Sequence, residues 1–308
     1  MRVTVVTGFL GAGKTTLLDA WLSALRGEDV AVIENEVGEL GVDGELLAAR
    51  ARRVIEITGG CICCTTQREL VRALAELAAR SSPPARLFVE TSGAASPAGV
   101  LRAVARTGGA VLDGVVTVVD ATRAAVIDAQ TLAAEQVGYA DVVVLSRAEL
   151  CDAERLADAR ERTRRRTALA AIVESERGRL RGAETLEALL ARRDVELPRV
   201  VMQRAHEGIE SLSLEHAGEL DEDRFLAWME DELGACAGRL LRSKGIVAIE
   251  GVDARVVVQG VADAAEVTLG APWADARRTS RMVLVGFALP SESLCASFAA
   301  CGAHAAND

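Results

Sequence analysis

Between residue 2 and about residue 150, short apolar runs rich in β-branched residues alternate with stretches whose apolar positions recur at helical spacing. The runs at 3–7, 30–33, 54–57, 87–90, 114–120 and 141–145 read as strands, and 16–25, 69–80 and 98–105 read as helices between them. Strands that are apolar throughout and separated by helices belong to a parallel sheet covered on both faces. From about 152 to 196 the pattern is helical and heavily charged, with Gly178 and Gly182 as interruptions. Beyond Pro198 the character changes. An alternating stretch near 209–214 and an amphipathic helix at 221–233 precede strands at 246–250, 255–260 and 282–287 and a helix at 291–301. The expectation is an α/β domain over 1–197, with a doubly wound and mostly parallel sheet, followed by a smaller α+β domain over 198–308.

Length agrees with two domains, because 308 residues of which half are apolar exceed one ordinary compact core. The formal net charge of -10 argues against nucleic-acid and anionic-membrane partners. The one basic cluster, Arg162, Arg164, Arg165 and Arg166, sits among acidic residues and reads as a solvated helix face rather than an RNA or partner contact. No apolar run reaches the ~18 residues needed to span a bilayer. The apolar stretch at 3–6 runs straight into a glycine-rich loop, so a cytoplasmic location is expected. Cysteine usage agrees with a reducing compartment. Cys61, Cys63 and Cys64 stand too close together for an ordinary set of intrachain disulfides, which favours metal or redox chemistry. Cys151, Cys236, Cys295 and Cys301 are scattered and read as buried small hydrophobes.

The strongest chemical signal is Gly8-Phe9-Leu10-Gly11-Ala12-Gly13-Lys14-Thr15, a complete G-x-x-x-x-G-K-[ST] between an apolar strand and an amphipathic helix. In such a loop the backbone N–H groups of Gly8, Gly11, Ala12 and Gly13 curl around phosphates. Lys14 reaches the β and γ oxygens, and the Thr15 hydroxyl is a ligand for Mg²⁺. The ligand class is therefore a nucleoside triphosphate, with the base still open. Glu90 ends the apolar run Leu87-Phe88-Val89 and is the candidate magnesium-site carboxylate. Gly93, three residues on, offers an N–H to the γ-phosphate.

Gly59-Gly60-Cys61-Ile62-Cys63-Cys64 puts three thiols within four residues, after a strand and at the apparent start of a helix. Thiolates are favoured there, and such a group can present two or three sulfurs to Zn²⁺, Co²⁺ or Cu⁺; a redox switch is the rival reading. Glu34-Asn35-Glu36-Val37-Gly38-Glu39 follows the second strand, where P-loop switch enzymes carry a nucleotide-sensing loop. Any of Glu34, Glu36 or Glu39 can be a metal ligand or a water-positioning residue, against the alternative of a merely acidic exposed loop. His206, His216 and His304 form no metal-binding tract. After the strand at 141–145, Ser146-Arg147-Ala148-Glu149 takes the place where GTPases carry Asn-Lys-x-Asp. Glu149 supplies the carboxylate for guanine on an arm one methylene longer, and Arg147 supplies a cation that can lie along the base.

These segments resemble the CobW family of P-loop GTPases, metallochaperone-like relatives of the urease and hydrogenase maturation GTPases. The resemblance is carried by 8–16, ENEVGELGVD at 34–43, GCICC at 60–64, ETSG at 90–93 and LDGVVTVVDA at 112–121. Arg242-Ser243-Lys244-Gly245, Gln259, Trp273 and the strand at 282–286 add the family's C-terminal domain. It implies phosphate binding by Gly11, Gly13, Lys14, Thr15 and Thr16, and transition-metal binding by Cys61, Cys63 and Cys64. It also implies switch roles for Glu34, Glu36 and Glu39 and a magnesium or γ-phosphate-sensing role for Glu90. The SRAE segment departs from the family's Asn-Lys-x-Asp or Ser-Lys-x-Asp, and the His-rich segment of some members is missing. The implied function is GTP-dependent metal insertion, with GTP and Mg²⁺ as cofactors, zinc as the leading cargo, cobalt second, and a client metalloprotein as partner. Two other classes compete. A P-loop small-molecule kinase would want an arginine-bearing lid and has no use for adjacent thiols, while a nucleotide-controlled scaffold would show no metal-dependent phosphate release.

Overall fold

The structure, a computed structural model, describes residues 1–25, 28–35, 53–56, 65–182, 185–190, 203–204, 209–262, 264–273 and 277–303. It divides into two compact units, one of Met1–Arg164 with Ala170–Ala191 and one of Arg165–Leu169 with Arg192–Asp308. The boundary expected at 197/198 lies outside the described residues. No helix among the described residues is long and apolar enough to cross a membrane.

The first unit holds an eight-stranded sheet ordered β3-β2-β4-β1-β5-β6-β7-β8. Its strands are β1 (Arg2–Thr7), β2 (Val30–Asn35), β3 (Arg53–Glu56), β4 (Arg86–Thr91), β5 (Val111–Asp120), β6 (Val142–Ser146), β7 (Ala171–Glu176) and β8 (Arg179–Leu180). Every pairing from β3 across to β7 is parallel, and β8 returns antiparallel to β7. Central position explains composition: β1 lies between β4 and β5, so Val3, Val5 and Val6 are wholly buried and the small Thr4 and Thr7 are buried with them rather than turned to solvent. Helix α1 (Lys14–Ala24) leaves the loop after β1 and packs Leu17, Leu18, Trp21 and Leu22 onto Val32, Phe88, Val116 and Val118. The Trp21 ring meets Phe88 edge-on at 4.7 Å between centroids. Each such side chain stabilises the unit by roughly 1.5–3 kcal/mol through burial, and together they fix β1, β4 and β5 as the platform of the site. Helices α2 (Thr65–Ala78), α3 (Ala98–Arg106), α4 (Val126–Ala129), α5 (Thr131–Gly138) and α6 (Ala153–Arg166) complete the described layers, with the short α7 (Leu186–Leu190).

The stretch read as helical from 152 to 196 is only partly so. Helix α6 ends at Arg166, and Ala171–Glu176 extends the sheet instead. Two residues explain the turn that follows: Arg177 and Gly178 both adopt positive φ, at 47° and 80°, the geometry of a two-residue hairpin. A Cβ on Gly178 would stand 2.4 Å from the Thr16 carbonyl oxygen, so this turn rests directly on α1. The glycine that looked like a helix interruption is a hairpin corner.

The second unit is built on a six-stranded antiparallel sheet ordered β13-β12-β11-β14-β10-β9. The strands are β9 (Gln203–Arg204), β10 (Ile209–Ala217), β11 (Leu240–Val247), β12 (Ala254–Val261), β13 (Ala264–Pro272) and β14 (Thr279–Phe287). Strand β13 was not expected from the sequence, because its edge position leaves Val267 and Leu269 exposed and removes the usual patterning. Helices α8 (Glu222–Trp228) and α9 (Ser291–Ala299) cover one face through Phe225, Trp228, Leu294 and Phe298. Asp221 caps α8 by accepting from the Arg224 N–H at 2.9 Å. Of the four scattered cysteines, Cys236 and Cys301 are buried as expected, but Cys151 is half-buried and Cys295 exposed.

Candidate nucleotide and metal site

Strand β1 delivers the chain into residues 8–13 with three glycines at positive φ: Gly8 at 141°, Gly11 at 73° and Gly13 at 97°. At Gly8 the requirement is absolute, because a Cβ would lie 2.2 Å from the Val118 carbonyl oxygen on β5. Gly13 then precedes the first turn of α1, whose N–H groups face outward from a helix N-terminus. Ala12 is buried and Thr16 exposed. Lys14 donates from Nζ to the Gly8 carbonyl at 3.1 Å, which folds the ammonium back over the loop it belongs to.

Neighbouring strands bring the remaining groups to this loop. Glu90, the penultimate residue of β4, is buried, and its Oε1 accepts from the Thr15 hydroxyl at 3.0 Å across a sequence separation of 75 residues. The next residue, Thr91, donates from Oγ1 to Thr7 Oγ1 at 2.8 Å, locking the ends of β4 and β1 together. Gly93 is pressed against the phosphate loop: a Cβ there would lie 2.8 Å from the Leu10 backbone and 3.0 Å from Lys14 Nζ. Glu34, the penultimate residue of β2, is buried, with its Cα paired to Glu90 on one side and Glu56 on the other. A hydroxyl, an ammonium, a buried carboxylate and a closely packed glycine thus converge at the carboxyl ends of β1 and β4.

The β6 end is braced from two directions. Ser146 donates from Oγ to the Ala12 carbonyl at 2.6 Å, so its side chain holds the phosphate loop. Arg147 has φ 55°, and its guanidinium is ion-paired with Asp120, the last residue of β5. Asp120 is buried and also accepts from the Thr122 N–H and hydroxyl, at 3.0 and 2.7 Å. Glu149 follows in a single 3₁₀ turn, with a buried Oε2 that has no hydrogen-bond partner among the described residues. Burial pushes the Cys151 thiol up, Arg155 opposes this, and Asp120, Asp152 and Glu149 add to it. That thiol therefore stays protonated at neutral pH.

Glu36, Glu39, Cys61, Cys63 and Cys64 lie outside the described residues. Among the described residues no cluster of three His, Cys, Asp or Glu side chains forms a metal site. Two contributors escaped the sequence reading. Asp120 was seen only as part of a motif, although an acid ending an apolar strand is the same signal that singled out Glu90. Gln136 carries a single sequence signal, a polar residue on the otherwise apolar buried face of α5.

A glycine-rich loop at the end of the central strand of a parallel sheet, with a hydroxyl–carboxylate pair beside its lysine, defines a P-loop nucleotide-binding protein. The chain belongs to the CobW family: residues 2–174 match the CobW/HypB/UreG nucleotide-binding domain, and residues 209–302 match the cobalamin synthesis protein cobW C-terminal domain. It is 35% identical over 321 residues to the zinc chaperone YjiA of Escherichia coli, covering 97% of this chain and 98% of that protein. It is 34% identical to the zinc chaperone CobW of Pseudomonas aeruginosa, covering 93% and 87%. The fold superimposes on the Zn(II)-bound YjiA GTPase from E. coli with a TM-score of 0.68 at 27% identity, over 98% of this chain and 99% of the other.

Proposed function

We propose that this chain is a GTP-driven zinc chaperone, which binds zinc as cargo at Cys61, Cys63 and Cys64 and releases it to a client metalloprotein when GTP is hydrolysed. The observation that carries the reading is the Thr15–Glu90 hydrogen bond at the phosphate loop, one strand away from the β2 end that leads into the acidic residues 34–39. Two relatives similar over most of their length are named zinc chaperones, and the superimposable one is a Zn(II)-bound GTPase. Cobalt is the second candidate cargo, because thiolates accept several divalent ions in an order set by ion chemistry.

Thr15 and Glu90 fit Mg²⁺, since a hydroxyl and a carboxylate 3.0 Å apart are the hard oxygen donors that ion prefers. Bound there, it would neutralise charge developing on the transferred phosphoryl group. Lys14 would leave the Gly8 carbonyl for the β and γ oxygens, and the Gly93 N–H would meet the γ-phosphate. Glu149 Oε2 is an unused buried acceptor suited to guanine N–H donors, with the Arg147 guanidinium, held by Asp120, beside the base. A carboxylate from Glu34, Glu36 or Glu39 completes zinc coordination in the triphosphate state or positions the attacking water, and loss of the γ-phosphate withdraws it. The chain's two functional regions are assigned as 1–197 and 198–308. Measuring phosphate release from GTP and from ATP, with and without Zn²⁺, tests this function. Release that responds to zinc and modestly favours GTP over ATP is expected; release indifferent to zinc would reduce the protein to a nucleotide hydrolase, and no release would leave a scaffold.

A further inference from the structure

Helix α5 buries Ala133, Ala134 and Val137, as an apolar helix face should, but it also buries Gln136 completely. A buried carboxamide costs about 1–3 kcal/mol wherever a hydrogen bond is left unmade; its Oε1 is buried without a hydrogen-bond partner among the described residues, so the partners of Nε2 are what the position retains. Nε2 donates to the Ala95 carbonyl at 3.1 Å and to the Gly93 carbonyl at 3.5 Å. The main-chain carbonyl of Gln136 accepts from the Thr117 hydroxyl on β5 at 2.7 Å, which anchors the helix end to the sheet. One residue earlier, Glu135 accepts from the Ser96 hydroxyl at 2.6 Å. The loop 92–96 is therefore held from one side by α5 and pressed on the other side against Leu10 and Lys14 through Gly93. Gln136 bonds at Gly93 itself, the point where that loop touches the phosphate loop.

We propose that Gln136 is a positioning residue for the γ-phosphate: it fixes the Gly93 peptide beside Lys14 in advance, so that triphosphate binding bears no cost of ordering that loop. The proposal rests on the GTP-hydrolysing reading above and adds a determinant of how triphosphate is distinguished from diphosphate. Contacts to the β-phosphate belong to residues 8–15 and do not pass through Gln136, so diphosphate binding is independent of it.

The test uses the full chain with Gln136→Leu. Leucine is close to glutamine in volume, so the substitution removes the amide with little change in packing. The affinity for a non-hydrolysable GTP analogue, relative to GDP, is expected to fall about tenfold, the loss of one or two neutral hydrogen bonds. kcat should fall with it while GDP affinity stays at the parent value. Ser96→Ala, which removes the bond to Glu135 but neither bond from Gln136, is expected to keep the parent ratio. If Gln136→Leu does not fold, Gln136→Asn carries the same amide on an arm too short to reach both carbonyls and should lower the ratio likewise. An unchanged ratio in a folded variant, or a parallel loss of GDP affinity, overturns the proposal. A parent protein that binds GTP but does not hydrolyse it would overturn the proposed function instead, and the binding ratio would still report on Gln136.

Discussion

On the proposed function Lys14 and Glu149 would carry charge to the two ends of the nucleotide, each with a distinct energetic role. Lys14 donates to the Gly8 carbonyl and would exchange it for phosphate oxygens, so its contribution would be largest where charge builds up during phosphoryl transfer. Lys14→Ala is expected to lower kcat by roughly 10²–10³-fold or more while the fold is retained, as phosphate release and circular dichroism would show. Near-normal turnover in that variant would contradict the role given to the loop. Glu149 must reach guanine over one methylene more than an aspartate, and it loses more rotamer freedom in doing so. The preference for GTP over ATP should accordingly be shallow in the parent protein and sharper in Glu149→Asp. Competition binding with both nucleotides checks this, and rejection of ATP by many thousandfold in the parent would refute it.

At the scale of elements, the site depends on contacts between strand ends that are remote in sequence. The Ser146 brace on Ala12 and the Arg147–Asp120 pair join β6 and β5 to the phosphate loop. The β7–β8 hairpin supports α1 from beneath through Gly178. Gly178→Val would force a β-branched residue into φ 80° and a Cβ against the Thr16 carbonyl, so a loss of about 1–3 kcal/mol is expected from strain and overpacking. Urea unfolding followed with and without GDP measures it, and an unchanged midpoint would mean that the turn does not bear on α1. This hairpin was illegible beforehand for a physical reason. A short strand at the far side of a sheet needs no alternation when four of its six residues are only partly buried, and its charged neighbours mimic an exposed helix. By contrast, β1, β4 and β6 were legible, because full burial on both faces demands uninterrupted apolar runs.

At the scale of the whole molecule, one buried cluster among the described residues is centred on Trp21 and Phe88 and another on Phe225, Trp228 and Phe298. All of the candidate nucleotide-site residues described belong to the first compact unit, Met1–Arg164 with Ala170–Ala191. The acidic residues 34–39 stand in the chain between the phosphate loop and the cysteines at 61–64. If the triphosphate orders that segment against the thiolates, zinc and triphosphate must each tighten the other's binding by the same factor, typically about 1–3 kcal/mol. Chelator competition under reducing conditions should therefore give tighter zinc in the GTP state than in the GDP state. Replacing Cys63 and Cys64 with serine should abolish the difference and leave GTP bound. Equal zinc affinities in the two states would remove the release mechanism even if both ligands bind.

The sequence by itself determined the local chemistry. A phosphate loop works through consecutive backbone N–H groups, and a thiol cluster through adjacent side chains, so both are written in contiguous residues. The β-branched runs likewise determined that a parallel sheet would form. The meeting of Thr15 with Glu90 was already implied by the magnesium reading of the two, but tertiary structure alone decided the other distant pairings: Ser146 with Ala12, Arg147 with Asp120, Gln136 with Gly93. These pairings depend on β4 and β5 flanking β1 and on α5 packing behind the loop after β4, arrangements fixed by the burial of whole faces rather than by any neighbouring residues.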